Sequence, residues 1–224
     1  MKLKTAAIMV ASAAFAISCN EAGYLTDNLG VKVTPEENRE YSYTDKKAGY
    51  WYGTTHQEQT EWWSGWNMAK KRILADYTIG INDEALRRSE ALECIVYPDR
   101  VERDWADAHE TFGLLDGKPV LYIDLETAAD SIFCSLDMSH IETAEAMEGG
   151  VFFAPREAPG MKIMLAPAAD VPFRALPEGI KAPSDADGFI LTYGTEEECR
   201  ALAAGFRTDG ERMKKERKER INGL

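Results

Sequence analysis

From Tyr50 onward an alternation of apolar and polar side chains with period two dominates, and this restricts the fold more than any other feature of the chain. In ILADYTIGI the side chains of Ile73, Ala75, Tyr77, Ile79 and Ile81 project to one side, and Asn82-Asp83-Glu84 then supplies a turn. LECIVYP follows as an apolar run closed by Pro98. TFGLLDGKPVLYIDLE predicts a hairpin, with Asp116-Gly117 at the two positive-φ positions of a type I′ turn and Leu121, Ile123 and Leu125 on one face of the returning strand. Further strands are expected at Ser131 to Met138, Gly150 to Ala154, Met161 to Ala166 and Gly188 to Tyr193, separated by links such as APREAPG and LPEGIKAPSDADG. Eight or nine strands with no helical pattern between them disfavour a parallel α/β sheet. The expected class is therefore all-β: an antiparallel two-sheet β-sandwich over residues 50–194. No fixed-period repeat points to a propeller or solenoid.

The C-terminus breaks the pattern. Thr195 with Glu198 three residues on forms a capping box, and Cys199, Leu202, Ala203 and Phe206 repeat with helical spacing. Residues 195–224 are thus expected to begin as an amphipathic helix with one stripe on the sandwich. The run ERMKKERKER, Glu211 to Arg220, mixes six bases with three acids and reads as a solvated charged helix or linker, with Gly205 and Gly210 as points where the helix could stop.

At the other end, Lys2 and Lys4 precede an apolar run from Ala6 to Ile17, too short to span a bilayer as a helix, so residues 1–18 read as a secretory signal. Its ending, Ala16-Ile17-Ser18-Cys19, resembles the lipobox of bacterial lipoproteins, which implies diacylation of Cys19 and a lipid anchor in the cell envelope; ordinary cleavage leaving Cys19 a thiol is the alternative. Residues 19–49 are polar and aperiodic, expected as a tether or lead-in strand. Removal of the signal leaves 24 basic and 38 acidic residues, a formal charge of -14, which argues against nucleic acid as a partner. Of the other cysteines, Cys94, Cys134 and Cys199 sit in apolar surroundings as packing groups, with a Cys94 to Cys134 bridge as the alternative.

Candidate chemistry is sparse. Four of the five tryptophans fall within YWYGTTHQEQTEWWSGW: Trp51, Trp62, Trp63 and Trp66, alongside Tyr50, Tyr52 and His56. Such rings, when exposed, offer flat platforms for the C–H faces of sugars, while neighbouring Gln, Glu and Asn side chains bind hydroxyls; the competing reading is that the rings pack in the core. His56, His109 and His140 are scattered, so no metal site is expected, and no Walker loop, dinucleotide fingerprint or G-x-S-x-G elbow suggests a cofactor or catalytic centre. Acid pairs such as Asp104 with Asp107, or Asp124 with Glu126, have no specificity, and the latter pair should meet water.

Three segments, GWNMAKKRILADYTIGINDEALRRSEALECIVYPDRVERDW, ETFGLLDGKPVLYIDLE and GFILTYGTEEECRALAAGF, together resemble the N-terminal β-supersandwich that precedes the (α/α)6 barrel in bacterial glycoside hydrolases of the trehalase-like and glycogen-debranching-like kind. The resemblance covers Gly65 to Phe206, with Tyr97-Pro98-Asp99-Arg100, Glu110 to Leu125 and Phe189 to Phe206 in the corresponding places. In those enzymes the barrel carries the catalytic acids, so no catalytic residue transfers to this chain. The resemblance implies a non-catalytic sandwich domain of exported carbohydrate machinery, with an oligosaccharide or polysaccharide, the membrane and a separate barrel as partners. A stand-alone glycan-binding lipoprotein and an envelope structural protein are the alternatives.

Overall fold

The computed structural model describes residues 25–57 and 63–223. The expected export signal, Cys19 and Trp62 lie outside them. Within them the chain forms three antiparallel sheets and one long helix, an all-β sandwich with a C-terminal helix.

The largest sheet has nine strands, in spatial order β1 (Val31–Val33), β8 (Glu93–Val96), β9 (Arg100–Asp104), β10 (Ala108–Leu114), β11 (Val120–Thr127), β18 (Gly188–Gly194), β15 (Lys162–Pro167), β14 (Gly150–Pro155) and β13 (Ile141–Met147). Its inner face meets a second layer that is split in two. A four-stranded sheet contains β2 (Glu40–Thr44), β3 (Gly49–Thr54), β4 (Gly65–Met68) and β5 (Lys71–Leu74). A five-stranded sheet contains β16 (Arg174–Leu176), β17 (Gly179–Pro183), β12 (Ser131–Leu136), β6 (Tyr77–Ile81) and β7 (Glu84–Ala85). Phe112 on β10 is where the layers converge: its ring lies 5.2 Å from that of Trp51 on β3 and is stacked 5.5 Å from that of Tyr77 on β6. Aromatic contacts at this spacing contribute beyond their buried area.

The segment from Ile73 to Ile81 is neither one strand nor alternating throughout: Ile73 to Tyr77 are buried at every position. The chain leaves the four-stranded sheet after Leu74 and enters the five-stranded one at Tyr77. Asp76 fixes the step: its carboxylate accepts the Tyr77 N–H at 2.8 Å and two bonds from Arg88 at 2.6 and 2.7 Å. The hairpin of β10 and β11 forms with Leu114 opposite Leu121, but its turn differs from the expected type. Only Gly117 has positive φ, at +71°, while Asp116 does not, and the loop closes with Leu115 N–H to Val120 O at 2.9 Å. The two-residue turn with both φ positive is Ala69-Lys70, between β4 and β5, which carries neither Asn nor Gly.

Residues 31–49 are not a tether. β1 pairs with β8, β2 pairs with β3, and Val33, Tyr41, Tyr43 and Asp45 are buried, so the folded body begins well before residue 50. The Tyr43 hydroxyl donates to the carbonyls of Tyr97 and Arg100, tying this segment to the turn between β8 and β9.

The helix α1 (Glu196–Asn222) starts at the expected capping box, with Thr195 N–H donating to the Glu198 carboxylate at 2.7 Å. It passes through Gly205 and Gly210 without a break. Cys199, Ala203, Phe206 and Met213 cover Tyr122, Phe152, Met164 and Ile190 on the outer face of the nine-stranded sheet. Its charged second half, expected as a solvated linker, lies back on the same sheet. Lys214 donates to Asp124 at 2.7 Å, Lys218 to Asp27 at 3.1 Å, and Arg217 is buried over the Tyr43 ring. Asp124 therefore faces the helix rather than open water; burial raises its pKa although Lys214 stands beside it. No helix among the described residues is long and apolar enough to cross a membrane.

Candidate functional site

The aromatic cluster divides by parity along β3. Trp51 faces inward and is 0% exposed, and Trp66, paired with it on β4, is also 0% exposed, its ring 5.0 Å from Tyr193. Neither offers a face to a ligand; the core reading describes these two, because burying an indole between sheets removes a large apolar surface from water. Trp63, just ahead of β4, is half-buried, and its carbonyl accepts from the Asn67 side chain at 2.9 Å.

The intervening residues point the other way. Tyr50, Tyr52 and Thr54 alternate with buried neighbours and are partly exposed on the outer face of the four-stranded sheet. Two residues along a strand separate the tyrosines by about 6.8 Å. Their cross-strand neighbours carry short polar groups: Thr44 opposite Tyr50, Ser42 opposite Tyr52 and Glu40 opposite Thr54, all exposed on β2. On the other side, Asn67 pairs with Tyr50 and Gly65 with Tyr52. Gly65 has φ of +86°, and a Cβ there would lie 2.2 Å from the carbonyl oxygens of Leu74 and Ala75, so only glycine fits and no side chain stands beside Tyr52 on β4. The Asn67 amide is held by the carbonyls of Trp63 and Gly65, at 2.9 and 3.2 Å. Two phenol rings framed by hydroxyls and a carboxylate can stack on apolar ring faces and exchange hydrogen bonds with hydroxyls at their edges, while the buried Asn67 amide only braces the backbone beneath them.

Beneath this face lies a polar node that the sequence reading missed. Arg103 and Glu110 are both buried between the layers, their charges joined at 2.7 Å. Arg103 also donates to the Thr55 carbonyl at 3.0 Å, the Thr54 carbonyl at 3.2 Å and the Tyr41 hydroxyl at 3.0 Å, while the Tyr77 hydroxyl donates to Glu110 at 2.6 Å. One ion pair thereby connects all three sheets. Burial pushes the Tyr77 phenol well above its usual range, and the Glu110 charge pushes the same way, so Tyr77 is a fixed donor and not a proton acceptor at neutral pH. The signal was present: Glu110 shares the apolar parity of Ala108, Phe112 and Leu114.

Among the remaining candidates, His109 bridges Asp104, at 2.7 Å from its Nδ1, and the Thr111 hydroxyl, at 3.3 Å from its Nε2. His56 is buried, its Nδ1 3.1 Å from the Thr55 hydroxyl, and burial together with the nearby Arg103 lowers its pKa, keeping it neutral. No group of acids, cysteines and histidines among the described residues could hold a metal ion. Cys94, Cys134 and Cys199 are free and buried, so the alternative Cys94 to Cys134 bridge is not formed. A cleft of about 900 Å³ runs between the second half of α1 and the strands β9 to β11, where Asp124 meets Lys214 of the helix and Glu102 meets Arg100 of its own sheet.

The chain matches no model of a known protein family, and no curated protein aligns with it significantly.

Proposed function

We propose that this protein is an exported, lipid-anchored β-sandwich module of carbohydrate-processing machinery, without a reaction centre of its own, that binds an oligosaccharide or polysaccharide across the outer face of the four-stranded sheet. One observation carries the reading: Tyr50 and Tyr52 lie partly exposed on a single strand face, bordered by exposed Ser42 and Thr44. A regular strand holds the rings without the ordering cost of a loop, which favours binding by preorganisation. The resemblance of the strand and turn pattern to supersandwich domains of glycoside hydrolases points to the same class of ligand.

Titration calorimetry against a panel of bacterial and plant oligosaccharides tests the proposal. Tyr50→Ala and Tyr52→Ala should each weaken binding about three- to tenfold, from a stacking contribution of roughly 0.5–1.5 kcal/mol per ring. Absence of binding across the panel, or unchanged affinity in the double variant, would refute it. Incorporation of labelled palmitate that disappears in Cys19→Ser tests the anchor.

A further inference from the structure

A second cavity, of about 360 Å³, opens beside η-turn residues 88–90 and reaches the buried node from the five-stranded sheet. Half-buried Trp105 lines its mouth, and the ring orientation is set by the indole N–H donating to the Arg87 carbonyl at 2.9 Å. Apolar Ile79 and Leu86 line it as well, together with the buried Tyr77 and Glu110. Each Glu110 oxygen accepts one bond, from Tyr77 or from Arg103. A carboxylate offers about four acceptor positions, so two are left without a donor from the described residues, on a side chain only 1% exposed at the cavity lining. The charges around the cavity are already matched: Glu110 by Arg103, and Asp76 by Arg88 in a bidentate pair. A charged ligand would upset that balance in a poorly solvated place, whereas an uncharged donor of hydroxyl groups would not.

We propose that this cavity is a binding site for one uncharged pyranose ring, seated with its apolar face on the Trp105 indole and one hydroxyl donating to Glu110. The volume suits a ligand of that scale. The site lies on different strands from Tyr50 and Tyr52, and it stands or falls independently of binding on the sheet face. Its ligand is a single sugar or the end of a chain, because the cavity closes on the buried ion pair.

The test is a titration of the isotopically labelled full chain with neutral methyl glycosides (gluco, galacto, manno and rhamno), observing the Trp105 indole N–H and the amides of residues 86–89 by NMR. A saturable shift at these signals with at least one glycoside is expected, weakened at least tenfold in Trp105→Ala and in the cavity-filling Leu86→Trp. No shift with any glycoside on the native protein would overturn the proposal without recourse to a variant. So would an equal shift produced by glycerol, which lacks the apolar ring face. Shifts confined to Tyr50 and Tyr52 would overturn this site while leaving the sheet-face reading in place.

Discussion

Replacing Arg103 by methionine should be among the most damaging single changes in this protein. Methionine keeps most of the side-chain length but removes all four hydrogen bonds of the guanidinium, to Glu110, Tyr41, Thr54 O and Thr55 O. Glu110, only 1% exposed, is then left as a buried charge answered by the Tyr77 hydroxyl alone. Breaking a buried ion pair from one side costs about 3–5 kcal/mol, a large share of the roughly 5–15 kcal/mol that holds a domain together. With a urea dependence of about 2 kcal/mol per molar, the unfolding midpoint should fall by roughly 2 M. Tryptophan emission is a suitable probe, since Trp51 and Trp66 are fully buried in the native state. In Arg103→Met/Glu110→Leu the orphaned charge is gone, so the double change should cost less than the sum of the single ones by at least about 1 kcal/mol. A midpoint shift in Arg103→Met below about 0.5 M, or strict additivity in the cycle, would refute the view that this pair fastens the three sheets.

Three further outcomes follow from the helix and the thiols. Thr195→Ala should destabilise the fold by about 1 kcal/mol through loss of the cap, measured as a urea midpoint shift. The backbone and hydroxyl of Thr195 hold the Glu198 carboxyl below its ordinary 4.5, so its contribution is present above that value and fades as pH falls through the lower folded value; the stability gap between the native protein and Glu198→Gln should accordingly narrow from pH 7 to pH 3. Burial pushes the Cys94 thiol up to about 11 and raises Cys134 and Cys199 as well, so none of the three should react with a thiol reagent at pH 8 until the protein unfolds; rapid labelling of any one in the native state would contradict the packing described.

Strands were legible wherever one face is dry and the other wet, as in β12, where Ile132, Cys134 and Leu136 are buried between half-exposed neighbours. Short or exposed strands escaped notice. β13, IETAEAM, lies at the edge of the nine-stranded sheet with little of it buried, so nothing in its composition marks it as a strand; its pairing with β14 decides the matter. β1 and β2 hid in a polar stretch because only Val33, Tyr41 and Tyr43 reach the core. The split of the second layer was equally hidden, since Ile73 to Tyr77 stay buried at every position while the chain changes sheet at Ala75-Asp76, with no glycine or proline to mark the step. The helix start was readable from its cap. Its second half was not, because ion pairs with Asp27 and Asp124, distant in sequence, hold a surface that looks fully solvated when the run is considered alone.

β18 shows why parity decides the site and why it fails elsewhere. Phe189 to Tyr193 are buried at every position, because the sandwich core lies on one side of that strand and α1 on the other. Two-sided burial produces a continuous apolar run with no alternation to interpret. On β3 the burial alternates, so its sequence YWYGT places successive rings on opposite faces, and a strand cannot present consecutive side chains on one face. With Trp51 committed inward against Phe112, Tyr50 and Tyr52 have to face outward. The larger rings drew attention in the sequence, yet burying an indole releases more water from apolar surface than burying a phenol, whose hydroxyl still needs a partner. The same preference that sends Trp51 and Trp66 inside therefore leaves the smaller, amphipathic rings of Tyr50 and Tyr52 partly exposed on the opposite face.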